Sequence, residues 1–182
     1  DLRVTTLRDV WQKSRDAFDV VIADVGAVLE VDHGLMHETS LPRRHAAALT
    51  ALEAAKVTLI CARADSVGIA RLVRGYLEFH EMFADSEVHV LLWGVTSESQ
   101  SKDVRAAVSR HTGIESIFES AYDFEVTRKS LHNNTFVSQL EPKHAIAKEF
   151  EALANLIYQN VEVQNKTPLR SKPMRSLFKR AA

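Results

Sequence analysis

Apolar runs separated by amphipathic stretches set the layout of the chain. Phe18-Asp19-Val20-Val21-Ile22-Ala23-Asp24 is β-branched and apolar on both faces, which predicts a strand covered by helices on each side. Val57-Thr58-Leu59-Ile60-Cys61-Ala62 and Val88-His89-Val90-Leu91-Leu92-Trp93 read in the same way. Shorter strands are expected at Leu2–Thr5 and Ile114–Phe118. Helical spacing predicts a helix from about Leu7 to Arg15, with Leu7, Val10 and Trp11 on one face. Pro42 opens a second helix that runs to Ala55. Asp65 or Ser66 caps a third, along which Ile69, Leu72, Val73, Tyr76 and Leu77 recur. Further helices are expected over Gln100–His111, stopped by Gly113, over Phe124–Leu131, and from Pro142 to Tyr158. Val25 to Leu41 is a long connection containing Gly26 and Gly34.

Strands alternating with helices imply βαβ crossovers. The expected fold is therefore three-layer α/β/α with a mainly parallel sheet. Residues 1–160 form this domain. From 161 to 182 the character changes: basic residues accumulate, no acid follows Glu162, and two prolines interrupt the stretch, which marks a basic tail. With 23 basic and 24 acidic residues among 182, net charge does not select nucleic acid or membrane as a partner. The single cysteine, Cys61, rules out an intramolecular disulfide and favours a reducing, cytoplasmic setting. No apolar run reaches the roughly 20 residues of a bilayer span. Beginning at Asp1 rather than at methionine, the chain is expected to be a fragment or a processed form.

In parallel sheets ligands gather at the carboxyl ends of the strands. An apolar strand that ends in Asp24 has the Walker B arrangement, in which the carboxylate binds Mg²⁺ directly or through water; a strand ending in a wet loop accounts for the same residue more simply. Asp65 and Ser66 need be no more than helix caps. Trp93, at the end of another strand, could wall a flat ring, or could be rim or core. None of the six glycines precedes a lysine, so the chain has no phosphate-binding loop and is not expected to hydrolyse ATP unaided.

Taken in order, these segments resemble the MinD/ParA/CpaE group of deviant Walker A (SIMIBI-class) P-loop ATPases. Phe18–Asp24 is similar to that group's "yDvvivD" strand, and Val57–Leu72 to its "advvllVarpdpvglarl" segment. Val88–Trp93 stands where the group has "vvlvNrv", Ser120–Asp123 where it has "iPyD", and Glu141-Pro142 where a late helix begins. Asp65-Ser66-Val67-Gly68 resembles the CpaE-like branch most. The resemblance covers about residues 2 to 158 and implies the C-terminal part of a P-loop domain, without its Walker A strand and loop. It further implies ATP and Mg²⁺ as cofactors, with Asp24 catalytic by holding Mg²⁺ through water or by orienting water. Gly26, Trp93, Tyr122 and Asp123 would lie around the nucleotide. The parent protein would be a homodimeric switch that positions chromosomes, a septum or a pilus or secretion assembly. Three departures stand out: Trp93 replaces the adenine-recognising Asn, Ala121 replaces the proline, and Val25-Gly26 follows the strand-end acid. They favour the alternative of a degenerate pseudo-ATPase that serves as a protein-interaction or localisation scaffold. A receiver domain of the response-regulator type would need an acidic cluster and a late strand-end lysine, and neither can be placed.

Two smaller features complete the reading. His33 and His37 would share a face if their loop were helical, but with no third ligand in sight a solvated loop is the better expectation for this pair. In the tail, Leu177 and Phe178 are interleaved with Arg175, Lys179 and Arg180. Such a basic amphipathic end would contact DNA, an anionic membrane or a partner protein, and would make the protein peripheral at a membrane in the second case.

Overall fold

The structure, a computed structural model, describes residues 4–26 and 41–160. Its elements follow the order α1 (Val4–Ala17), α2 (Leu41–Ala54), β1 (Val57–Arg63), α3 (Ser66–Met82), β2 (Glu87–Val95), α4 (Glu98–Thr112), β3 (Ile117–Ala121), α5 (Phe124–His132), α6 (Val137–Leu140) and α7 (Ala145–Asn160). The chain is α/β, with a three-stranded sheet of order β1-β2-β3. Both strand pairs are parallel: Val57 lies opposite Glu87, Arg63 opposite Trp93, and Val90 opposite Ile117.

The side-chain period of two divides the sheet into unequal faces. Ala62, Val90, Leu92 and Ile117 point to one side, where Ile69 and Leu72 of α3 and Val104 and Val108 of α4 close over them. Val90, Leu92 and Val108 are fully buried there. Leu59, Cys61, Arg63, His89, Leu91, Trp93, Phe118 and Ser120 alternate with these and face the other way. That side is covered near β3 by α7. Towards β1 it opens, and Cys61 and Arg63 are exposed.

Helix α1 packs on α2 through Arg8, which forms a 3.0 Å ion pair with Glu53, and through Trp11, whose indole N–H donates to Thr50 Oγ1 at 3.1 Å. Val4 and Thr5 belong to this helix and not to a strand. The amphipathic stripe through Leu7, Val10 and Trp11 extends backwards and overrides their β-branched bias.

The larger departure concerns Phe18–Asp24. This run joins no strand, and its backbone makes no ladder hydrogen bond. Instead of being covered on both faces it is exposed, with Phe18 at 66% and Ile22 at 91%. Its position is nevertheless defined at both ends. Arg15, just before it, donates to the carbonyl of Ala54 at 3.4 Å, level with the start of β1. Asp24, at its far end, lies close enough to Cys61 for its charge to act on the thiol. The run thus lies near Cys61 at its far end without pairing to β1. A strand pattern has been met without the ladder partner that a strand requires.

Candidate functional site: the carboxyl edge of the sheet

The last residues of the three strands form a row. Arg63 ends β1, and the neighbouring strand contributes Trp93 directly across from it. The guanidinium lies over the indole ring, 5.4 Å from its centroid, and Trp93 remains 48% exposed. Arg63 Nε also sits 2.9 Å from Asp65 Oδ2. The second oxygen of Asp65 accepts the backbone N–H of Gly68 at 2.7 Å and so caps α3.

This corner is held tightly. The N–H of Ala64 donates to the carbonyl of Trp93 at 2.9 Å. The Gln100 side-chain amide donates to the Ala64 carbonyl, while its oxygen accepts from the backbone and hydroxyl of Thr96 at 2.7 and 2.8 Å. One side chain thereby ties the end of β2 to the end of β1. Gly68 is required by close approach: a Cβ there would lie 2.3 Å from the Arg63 carbonyl oxygen. On β2 the pairing with β3 shifts between Trp93 and Val95. Gly94 takes a left-handed φ of +83° at that bulge, a conformation that glycine adopts without strain.

At the end of β3, Tyr122 is 63% exposed and its N–H donates to the carbonyl of Val95 at 2.8 Å. Asp123 has a structural task. Oδ1 accepts the Val126 N–H at 3.0 Å, which caps α5, and Oδ2 lies 3.2 Å from His144 Nε2. His144 Nδ1 accepts the N–H of Ile146 at 3.2 Å, which assigns the ring proton to Nε2 and makes His144 the donor to Asp123. The Val126 bond first, and His144 after it, hold the Asp123 carboxyl below the ordinary range. Glu149, 3.4 Å from the N–H of Ala121, is pushed up by burial, and the charge of Glu119 adds to that.

Asp24 stands apart from this row, and its charge acts on Cys61 within β1. Its Oδ1 accepts the N–H of Gly26 at 3.1 Å, where Gly26 has φ +63°. Its other oxygen has no hydrogen-bond partner among the described residues. The Cys61 thiol is raised mainly by partial burial and further by Asp24. Among the described residues no group of three His, Cys, Asp or Glu side chains could hold a metal ion. His33, His37, Arg175, Leu177, Phe178, Lys179 and Arg180 lie outside the described residues. No helix among the described residues is long and apolar enough to cross a membrane.

The structure thus brings Trp93, Tyr122 and Asp123 to one edge of the sheet, while Asp24, whose charge acts on Cys61, and Gly26 lie outside that row. Arg63, Gln100 and His144 were missed as site residues by sequence reasoning. For Arg63 the strand end was legible, but its place across from Trp93 follows from the register of the pairing. Comparison with protein families, with curated proteins and with solved structures gives no match.

Proposed function

We propose that this chain is the C-terminal part of a nucleotide-dependent switch of the MinD/ParA/CpaE type, whose nucleotide lies along the carboxyl edge of the sheet. The observation that carries the reading is the row that Arg63, Trp93 and Tyr122 form at the carboxyl end of a parallel sheet, where ligands gather. Asp24 lies near enough to Cys61 for its charge to act there. The resemblance leaves one strand and one loop unmatched, those of the Walker A motif, and they would complete the phosphate side of this edge.

Within this reading Asp24 faces the phosphate side, and Trp93 and Tyr122 face the base. Mg²⁺ is commonly held by one or two carboxylates together with substrate phosphates, so a single carboxylate with one oxygen unengaged among the described residues suits it. Bound there, the ion would neutralise phosphate charge. Trp93 and Tyr122 offer aromatic surface, so the base would be selected by stacking. Asp123 supports this end of the site by capping α5, with both of its oxygens engaged. Dimerisation across the nucleotide, and contact with DNA or a membrane through the tail, belong to the same proposal.

The indole in place of a base-recognising amide favours a second reading, a scaffold that has given up turnover. Calorimetric titration of Mg·ATP decides between them, with this chain and with the chain joined to a Walker A strand and loop at its amino end. Binding by the joined form that is lost in Asp24→Ala supports the switch. Absence of binding in both forms refutes it and leaves the scaffold.

A further inference from the structure

We infer that Arg63 is a phosphate-binding residue, which grips a nucleoside phosphate whose base lies against the indole surface of Trp93 that the guanidinium leaves exposed. The inference rests on the nucleotide reading above and adds to it a residue and a division of labour.

Its position comes first. Arg63 ends β1 and lies directly across from Trp93, on the same face of the sheet. A ligand seated against the indole therefore has the guanidinium within reach. Availability comes next. The side chain is 64% exposed, and its only charged partner among the described residues, Asp65, sits against Nε. Among the described residues no hydrogen bond engages the two terminal nitrogens of the planar fork, and that fork matches phosphate oxygens in pairs. The third point is preorganisation. Asp65 restrains the guanidinium from one side and the indole from below, while the Gln100 and Gly68 contacts fix the backbone beneath it. Little side-chain freedom remains to be lost on binding.

A purely structural role explains these features less well. An exposed ion pair and an exposed cation–π contact stabilise weakly, whereas four separate interactions hold this corner in place. The same weakness makes Arg63 safe to substitute.

The chain has two tryptophans, so Trp11→Phe leaves Trp93 as the sole indole reporter. In that background ATP, adenosine and tripolyphosphate are titrated against intrinsic fluorescence, with and without Arg63→Ala and Arg63→Lys. ATP is expected to perturb Trp93. Arg63→Ala should weaken ATP about tenfold to a hundredfold, the range for a lost charge-assisted hydrogen bond. Arg63→Lys should recover part of that loss, and adenosine should be indifferent to both substitutions. Equal ATP affinity in Arg63→Ala and its parent would overturn the role of Arg63 while leaving the nucleotide site intact. Tripolyphosphate binding as tightly as ATP would overturn the placement of the base on Trp93. If none of the three ligands binds to this chain, the role of Arg63 falls, while the titration of the chain joined to a Walker A strand and loop decides the nucleotide reading separately.

Discussion

Replacing Asp24 by Asn tests the geometry on which the site depends, and Cys61 reports the outcome. As the only cysteine of the chain, its alkylation by a small reagent is read without interference. Burial keeps the thiol above its ordinary value, and Asp24 raises it further by disfavouring a second negative charge nearby. For two groups about 10 Å apart, on the order of the screening length, unit charges interact by about 0.4 kcal/mol in bulk water and about 0.8 kcal/mol where the effective dielectric is halved. Removing the Asp24 charge should increase the thiolate fraction at neutral pH about twofold to fourfold. A less basic thiolate is also a poorer nucleophile, so the alkylation rate should rise only about 1.5- to 2-fold. The assay compares the pH–rate curves of parent and Asp24→Asn at low ionic strength, where the variant's curve should shift to lower pH. About 1 M salt, which shortens the screening length to about 3 Å, should merge the two curves. Identical curves at low salt would mean that the charge of Asp24 does not reach Cys61, and the placement of Asp24 near the site would fall.

Two further outcomes concern the frame of the site. Gly68→Ala forces a methyl group to 2.3 Å from the Arg63 carbonyl oxygen and should cost about 1–3 kcal/mol, read from the urea midpoint; an unchanged midpoint would refute the contact. Glu149→Gln should raise Tm at neutral pH. The folded carboxyl lies above its unfolded value, so its ionised form opposes folding and the fold gains stability as pH falls through the folded value. The advantage of Gln must therefore vanish in acid, and a constant advantage would point to another cause.

The buried part of the fold was legible because its signals agree. β1 and β2 are apolar on both faces and of strand length, and the intervening helix carries its own Asp65 cap. The Gly113 stop of α4 was equally plain, since the residue takes φ +74°. Phe18–Asp24 carries the same apolar signal as β1, yet a pattern specifies which faces are buried and not whether a neighbour stands ready to pair. Strand-end residues could be named from the chain, but their partnerships depend on register and on distant segments. Arg63 meets Trp93 through pairing, and Asp123 meets His144 over a separation of 21 residues. The dual employment of Asp123 as cap and acceptor was invisible for that reason.

All three strands, and the two helices that seal the inner face, come from one uninterrupted stretch between Val57 and Ala121. Each pairing joins strands separated by a single helix, which keeps contact order moderate and lets the interior close from one continuous piece of nascent chain. Nothing in that interior waits for the outer edge of β1. A strand that fills the edge would dock on a finished template, so nucleation of the fold and completion of its ligand site would be separate events.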